Sequence, residues 1–153
     1  HDDFTVEMIA DNHHIPAALA QMIYRAKGAT KLCLVSDAIA PAGLPQSDAL
    51  YSLGAGEGST KVFMDSGVAL VEDQSCYAGS VQALDQMVRN LVHDSNIPLV
   101  DAVRMASLTP AEIIGIHGEC GSLKVGKRGD VCVLNERLEV QKTLVHGNVV
   151  FEG

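Results

Sequence analysis

The chain has 153 residues, of which 47% are hydrophobic and 4% aromatic, with no tryptophan. This length and apolar share suffice for a sizeable core built mainly from aliphatic side chains and methionine. The net charge of −8, without a basic cluster, argues against a nucleic-acid partner or an anionic membrane surface. The apolar runs are too short to span a membrane, and the four cysteines form no CxxC pair, so we expect a cytoplasmic protein.

Residues 4–37 have the pattern of a strand, a polar loop, a helix and a second strand. Pro16 suits the first position of the helix and Gly28 supplies its stop. At helical spacing the expected apolar face comprises Leu19, Met22, Ile23 and Ala26. A right-handed crossover places the carboxyl ends of both parallel strands on one side, so residues 11–14 and Asp37 are expected at one site.

The second strand of this unit ends at a carboxylate. The run from Leu32 to Val35 is continuously apolar, which is typical of a parallel strand buried on both faces, and Asp37 follows it. Because α/β enzymes place catalytic groups at the carboxyl ends of such strands, Asp37 is a candidate catalytic residue. The alternative is that Asp37 only caps or turns the loop that follows.

Two adjacent histidines, His13 and His14, raise the question of a metal site. Neither the HxH nor the HExxH spacing is present, so metal ligation is not the favoured interpretation. Neighbouring side chains in extended backbone point in opposite directions, and at most one of the two is expected to enter a site.

The middle of the chain changes to glycine, serine and alternating apolar residues. A turn at Asp65-Ser66-Gly67 separates two short apolar runs, which predicts a β-hairpin insertion near 60–73. The glycines at 54–58 lack the lysine and serine or threonine of a phosphate-binding loop, so they are interpreted as a flexible approach to the hairpin.

Three helices are predicted between Ser80 and the tail of the chain. Ser80 is expected to cap the first, whose amides either serve the cap alone or also hold a polar or anionic ligand group. Its apolar face comprises Val81, Leu84, Val88, Leu91 and Val92. The second helix spans 98–107, and its apolar side carries Leu99, Val103 and Ala106. A capping box at Thr109–Glu112 opens the third, and from Cys120 onward short strands are expected to pack against these helices.

Five segments together point to a family. They are Ile9–His14, Leu34–Ala38, Ala78–Ser80, Met105–Ala111 and Gly121–Asp130. In their order and spacing the chain resembles the N-acetylglucosamine-6-phosphate deacetylases of the amidohydrolase superfamily. The first three segments indicate the deacetylase branch, whereas the last, together with residues 143–148, is shared across the superfamily. The resemblance covers nearly all of this chain but only the C-terminal part of such an enzyme.

The resemblance implies an α/β fold in two parts. Residues 1–119 would be the last strands and helices of a (β/α)8 barrel of the TIM type, and residues 120–153 would be strands of a small β-sandwich. A complete barrel takes about 250 residues, so we expect the chain to be the C-terminal portion of a longer enzyme. The implied enzyme is a cytoplasmic homodimer that acts on an amino sugar phosphate.

The same resemblance assigns roles to individual residues. Asp37 matches the aspartate that ends the eighth barrel strand, takes a proton from the attacking water and returns it to the leaving amine. His14 matches a histidine that contacts the substrate. The backbone of Tyr77, Ala78 and Gly79 matches a segment that lines the same site.

The chain departs from the family pattern in a few places. Asn12 and His13 stand where glycine and an apolar residue are expected, and Gly129 replaces an alanine. Because asparagine tolerates left-handed backbone, the loop is expected to keep its shape.

The expected position of the metal ligands is the larger departure from the family pattern. The glutamate and two histidines that hold the divalent metal in this family, zinc or iron, lie upstream of Ile9, so no metal ligand is expected in this chain. Two alternatives remain open: another amidohydrolase that acts on a cyclic amide or an acylamino acid, and a catalytically inert folding or association fragment.

Overall fold

The first two strands and the helix between them form the predicted βαβ unit. The structure, a computed structural model, describes residues 3–47, 49–56 and 58–153. Strand β1 (Val6–Met8) pairs in parallel with β2 (Leu32–Leu34), and helix α1 (Ala17–Lys27) connects them. All three residues of β2 are buried, as the continuously apolar run predicts. The α/β class is therefore confirmed.

The main core lies between this parallel pair and the helices that follow. These are α2 (Leu84–His93), α3 (Leu99–Ala106) and α4 (Leu108–Ile113). As the composition predicts, the core is aliphatic and rich in methionine, and its fully buried side chains include Met8, Leu32, Met87, Leu91, Ile97 and Met105. Burying each contributes about 1.5–3 kcal/mol. Within the described ranges, no helix is long and apolar enough to cross a membrane.

A four-stranded antiparallel sheet follows β2. Its strands are β3 (Tyr51–Leu53), β4 (Thr60–Asp65), β5 (Val68–Val71) and β6 (Tyr77–Ser80), in that order. The predicted hairpin is confirmed, because β4 and β5 are joined by Ser66 and Gly67, both with positive φ, as tight two-residue turns require. The sheet is larger than predicted, since β3 and β6 flank the hairpin.

The predicted helix face is largely correct for α2, although Val81 lies before the helix and the buried Met87 was not predicted; the faces of α1 and α3 are wrong in part. In α1, Met22 is 67% exposed and Ala20 is buried instead. In α3, Leu99 and Val103 are each 40% exposed, whereas the buried residues are Ala102 and Met105. Both helices carry apolar residues on more than one side, so spacing alone does not determine which side faces the core.

Both predicted helix caps are wrong. Ser80 belongs to β6, where it pairs with Val68, and the residue that precedes α2 is Ala83. Thr109 lies inside α4 rather than at its cap, and its buried Oγ1 donates a hydrogen bond to the carbonyl of Ala29 at 2.7 Å. For Thr109 a tertiary partner outweighs the local preference for a cap, whereas the backbone of Ser80 is taken up by strand pairing and its Oγ accepts the N–H of Gln82 at 3.1 Å.

The tail forms β structure, as predicted. Strands β7 (Val131–Leu134), β8 (Val140–Val145) and β9 (Asn148–Glu152) make an antiparallel sheet. The expected packing of these strands against the helices is found only in part: Val131 and Val140 are half-buried, whereas Val133 is 44% and Val149 51% exposed. The sheet contacts α2 through the loop between β7 and β8, where Arg89 Nη1 donates to the carbonyl of Leu138 at 2.7 Å. The division of the chain at residue 120 into two domains stays a prediction.

Candidate active site

Asp37 lies just beyond β2 and is held through its backbone. Its carbonyl oxygen accepts a hydrogen bond from the N–H of Ser80 at 2.9 Å, and the N–H of Ile39 donates to the carbonyl of Ser80 at 3.0 Å. These bonds form a parallel bridge between Ala38 and Ser80, which aligns the end of β6 with the end of β2. Asp37 has a φ of 48° and is exposed, so its carboxylate is accessible at the carboxyl end of a buried strand.

Gly79 packs directly against Asp37. A Cβ atom at this glycine would lie 2.9 Å from the carbonyl oxygen of Asp37 and 3.4 Å from its Oδ2. It would also lie 2.7 Å from Cγ2 of Ile39, and Gly79 has a φ of 105°. Contacts under 3.0 Å to a Cβ are not tolerated without movement, so this close approach of β6 to Asp37 requires glycine. Asp37 and Gly79, two of the predicted site residues, are therefore neighbours.

The polar loop after β1 is organised around the carboxylate of Asp11, which is fully buried. Its Oδ1 accepts the backbone N–H groups of His13 at 3.0 Å and His14 at 2.8 Å, and its Oδ2 lies 2.8 Å from Nδ1 of the His14 ring. Burial by itself raises the pKa of Asp11, but the bonds from the His14 N–H, the His14 ring and the His13 N–H outweigh it. The pKa therefore lies below its ordinary value of 3.8, and Asp11 is ionised at neutral pH.

Both histidine rings lie beside Tyr77 of β6. The ring centroids of His14 and Tyr77 are 5.1 Å apart, and those of His13 and Tyr77 are 6.5 Å apart in an edge-to-face arrangement. The turn of the β4–β5 hairpin is also close, since a Cβ at Gly67 would lie 3.6 Å from Nε2 of His13. The premise behind the prediction that at most one histidine enters a site, an extended backbone, does not hold here, and the prediction itself stays a prediction. The loop is not extended, because Asn12 adopts left-handed backbone with a φ of 67°.

Helix α2 holds the carbonyl groups of this loop in place. Gln82, just before the helix, donates from Nε2 to the carbonyl of Asp11 at 3.0 Å. Asn90, a buried residue of α2, donates from Nδ2 to the carbonyl of Ala10 at 2.9 Å and to Oε1 of Gln82 at 2.9 Å. Sequence reasoning placed Asp11 at the site but missed its role in holding the loop, and it missed Gln82 and Asn90 altogether. The available signals were an acid three residues before a histidine and a polar residue within an apolar helix stripe.

Strand β6 connects the two halves of the candidate site. Tyr77 contacts His14 and Gly79 contacts Asp37, and the pairing of β6 with β5 is irregular between Tyr77 and Ser80. A depression of about 510 Å³ in the hairpin sheet, lined by residues of β4, β5 and the loop before β6, includes neither Asp37 nor His14. We therefore place the candidate site at the strand ends rather than in this depression.

The described residues do not fit a metal ion by themselves. No three histidine, cysteine, aspartate or glutamate side chains come together in the part of the chain that the structure describes. The Asp11 carboxylate is occupied by the three hydrogen bonds of its own loop. What the arrangement offers is an exposed carboxylate at a strand end, a close glycine, and an imidazole whose Nδ1 is bound.

The chain belongs to the amidohydrolase family, whose model matches residues 1–150. Among curated relatives, it is 36% identical to an N-acetylglucosamine-6-phosphate deacetylase of Vibrio furnissii over 99% of this chain, but it spans only 36% of that protein. It is 39% identical to a putative N-acetylgalactosamine-6-phosphate deacetylase of Escherichia coli K12, over 94% of this chain and 81% of that protein.

Solved structures agree in fold. N-acetylglucosamine-6-phosphate deacetylase from Pasteurella multocida superposes with a TM-score of 0.86 at 27% identity, over 97% of this chain and 37% of that one. An aspartate-to-alanine variant of the Mycobacterium smegmatis enzyme, in complex with N-acetyl-D-glucosamine-6-phosphate, has a TM-score of 0.85 at 33% identity, over 95% of this chain and 37% of that one. The predicted resemblance is thus confirmed.

Proposed function

We propose that the enzyme to which this chain belongs hydrolyses N-acetyl-D-glucosamine 6-phosphate to D-glucosamine 6-phosphate and acetate, in amino sugar catabolism. The observation that carries the proposal is the exposed Asp37 carboxylate at the end of a buried parallel strand, with Gly79 packed against it. The deacetylase names of the relatives support it. The strand before Asp37 would be the eighth of a (β/α)8 barrel, and residues 120–153 would belong to a small β-sandwich.

Asp37 supplies the proton transfers that amide cleavage needs. Its carboxylate removes a proton from water as the oxygen forms a bond to the acetyl carbon, and it then gives that proton to the amine nitrogen as the C–N bond breaks. Acetate and the free amine are the products. General acid–base catalysis of this kind contributes about 10²–10⁴ in rate.

The loop after β1 and strand β6 would bind the sugar phosphate. His14 presents its ring at the site beside Tyr77, and none of the described hydrogen bonds uses its Nε2. The backbone of Tyr77, Ala78 and Gly79 runs between this ring and Asp37 and would line the same site. In this proposal His14 recognises the substrate, whereas Asp37 performs the chemistry.

A divalent metal, zinc or iron, would make a bound water more acidic in the complete enzyme. From the family resemblance we propose that its ligands lie upstream of Ile9; the described residues form no ligand set by themselves. The 153-residue chain by itself is therefore expected to be inactive. As a separate part of the proposal, the complete enzyme is a cytoplasmic homodimer.

The test is Asp37→Asn in the complete enzyme, with release of acetate as the assay. We expect kcat to fall by at least about a hundredfold, with the fold and most of the substrate binding preserved. Asp65→Asn, at another exposed aspartate, is the matched control and should keep kcat. Near-normal kcat in Asp37→Asn would refute the role of Asp37.

His14→Gln separates binding from chemistry. We expect it to raise KM more than it lowers kcat, as for a residue whose contact is already made in the ground state. A loss confined to kcat would contradict the assigned role of His14.

The substrate panel addresses a second candidate. The second candidate substrate is N-acetylgalactosamine 6-phosphate, which stands in the names of two Escherichia coli relatives, each 39% identical to this chain. Both sugar phosphates should therefore be assayed in parallel with a cyclic amide and an acylamino acid. Turnover of only the last two would replace the deacetylase proposal with another amidohydrolase activity.

A further inference from the structure

The buried carboxylate of Asp11 has a use that the proposed acid–base chemistry does not require. We propose that Asp11 is a positioning residue that keeps the ring proton of His14 on Nδ1, so that Nε2 faces the site as a hydrogen-bond acceptor for a sugar hydroxyl. The substrate part of this inference rests on the proposed function, but the tautomer does not.

The hydrogen-bond geometry selects one tautomer. Oδ2 of Asp11 lies 2.8 Å from Nδ1 of His14, and a carboxylate that carries no proton only accepts hydrogen bonds. Nδ1 must therefore be the donor, and in the neutral imidazole the proton is then absent from Nε2. Such a ring accepts a hydrogen bond from a hydroxyl, whereas the other tautomer would present an N–H at the same place.

The surroundings fix the orientation of the ring as well as its proton. Oδ1 of Asp11 is bound by the backbone N–H groups of His13 and His14, so the carboxylate is anchored to the same turn that carries the ring. Gln82 holds the carbonyl of Asp11 from outside the loop. Tyr77 contacts the His14 ring, with the centroids 5.1 Å apart. A carboxylate that is fully buried and held in this way cannot follow a rotating imidazole, so the pair is rigid.

Asp11→Asn is the informative substitution because it changes the chemistry of one contact and little of the shape. The asparagine carbonyl can still accept the two backbone N–H groups, while its amide group would face Nδ1 of His14. An amide N–H donates, so His14 must then place its proton on Nε2. The same logic explains why an isosteric aspartate-to-asparagine change beside a catalytic histidine leaves geometry intact but gives the wrong tautomer.

The measurement is the nitrogen-15 spectrum of the histidines in the 153-residue chain, with His14→Gln identifying the His14 signals. In the wild type we expect about a ten- to hundredfold preference for the Nδ1–H form, the ratio that a hydrogen bond to a charged group supports. Asp11→Asn should reverse the preference. Asp94→Asn, which removes the charge from the carboxylate that binds Asn12 in the same loop, should leave it unchanged.

Two results would overturn the inference: a wild-type His14 that carries its proton on Nε2, or an Asp11→Asn variant that keeps it on Nδ1. The wild-type spectrum decides even where Asp11→Asn fails to fold. In the complete enzyme, Asp11→Asn should raise KM, and the increase should vanish in the His14→Gln background. Absence of any deacetylation would refute the proposed function while leaving the tautomer result to be judged by itself.

Discussion

The close contact between Gly79 and the backbone at Asp37 gives the sharpest prediction for the stability of the site. An alanine Cβ at Gly79 would lie 2.9 Å from the carbonyl oxygen of Asp37, which cannot retreat easily because the N–H of Ser80 donates to it. Positive φ costs an L-residue about 1–2 kcal/mol, and insertion of an extra methyl group into a packed region typically costs about 1–3 kcal/mol. We therefore expect Gly79→Ala to lower the free energy of unfolding by about 2–5 kcal/mol.

Urea unfolding of the 153-residue chain measures this effect, and two other glycines separate its causes. Gly28 has a φ of 71° and a ψ of 161° but nothing within 4 Å of its Cβ position, so Gly28→Ala should show only the backbone part, about 1–3 kcal/mol. Gly118 has neither strain nor a close neighbour, and Gly118→Ala should be neutral or slightly stabilising. If Gly79→Ala is no more destabilising than Gly28→Ala, the contact between β6 and Asp37 does not exist as described.

Three further predictions concern other parts of the chain. Because the pKa of Asp11 lies below 3.8, its ionised form stabilises the fold at neutral pH, and that contribution is lost as the pH falls below about 4. The difference in urea midpoint between wild type and Asp11→Asn should therefore shrink between pH 5 and pH 2. A difference that stays constant over this range would contradict the lowered pKa of Asp11. Thr109→Val removes the donor to the buried carbonyl of Ala29 and should lower the free energy of unfolding by about 1–3 kcal/mol, whereas Thr109→Ser should retain most of it. Val150 and Phe151 of β9 are 61% and 49% exposed, and exposed apolar side chains of this kind favour association between chains. Phe151→Ser should therefore reduce concentration-dependent association, measured by light scattering. A wild-type chain that is monomeric at all concentrations would refute this prediction.

The strands other than β3 and β6 were predictable because their signals are local. A continuously apolar run gave β2, an Asp-Ser-Gly turn between two apolar runs gave the β4–β5 hairpin, and short apolar runs between turns gave the tail. Pairing between distant segments has no comparable signal. The parallel bridge between Ala38 and Ser80 depends on how β6 returns to the end of β2, and nothing in either segment alone indicates it.

The errors at the two helix caps arise from tertiary structure. Serine and threonine favour helix caps because their hydroxyls satisfy free backbone groups, but distant partners compete with this local preference. The hydroxyl of Thr109 donates to the carbonyl of Ala29, whereas the backbone of Ser80 pairs with β5 and its Oγ accepts the N–H of Gln82. A sequence window contains the cap preference and not the distant partner, so the local rule fails where tertiary structure supplies a partner.

The two acidic residues at the strand ends show where prediction of the site stops. Asp37 was predicted from its position after a buried strand, and the structure leaves it exposed, which the proposed proton exchange with a substrate requires. Asp11 follows the neighbouring parallel strand in the same way, yet it is buried and bound by its own loop. Strand position alone does not distinguish an acid that reacts from one that orients another side chain. The distinction comes from burial and hydrogen-bond donors: Asp11 is fully buried and accepts three hydrogen bonds within its own turn, which hold it ionised, whereas Asp37 is bound to Ser80 through its backbone and its carboxylate is exposed.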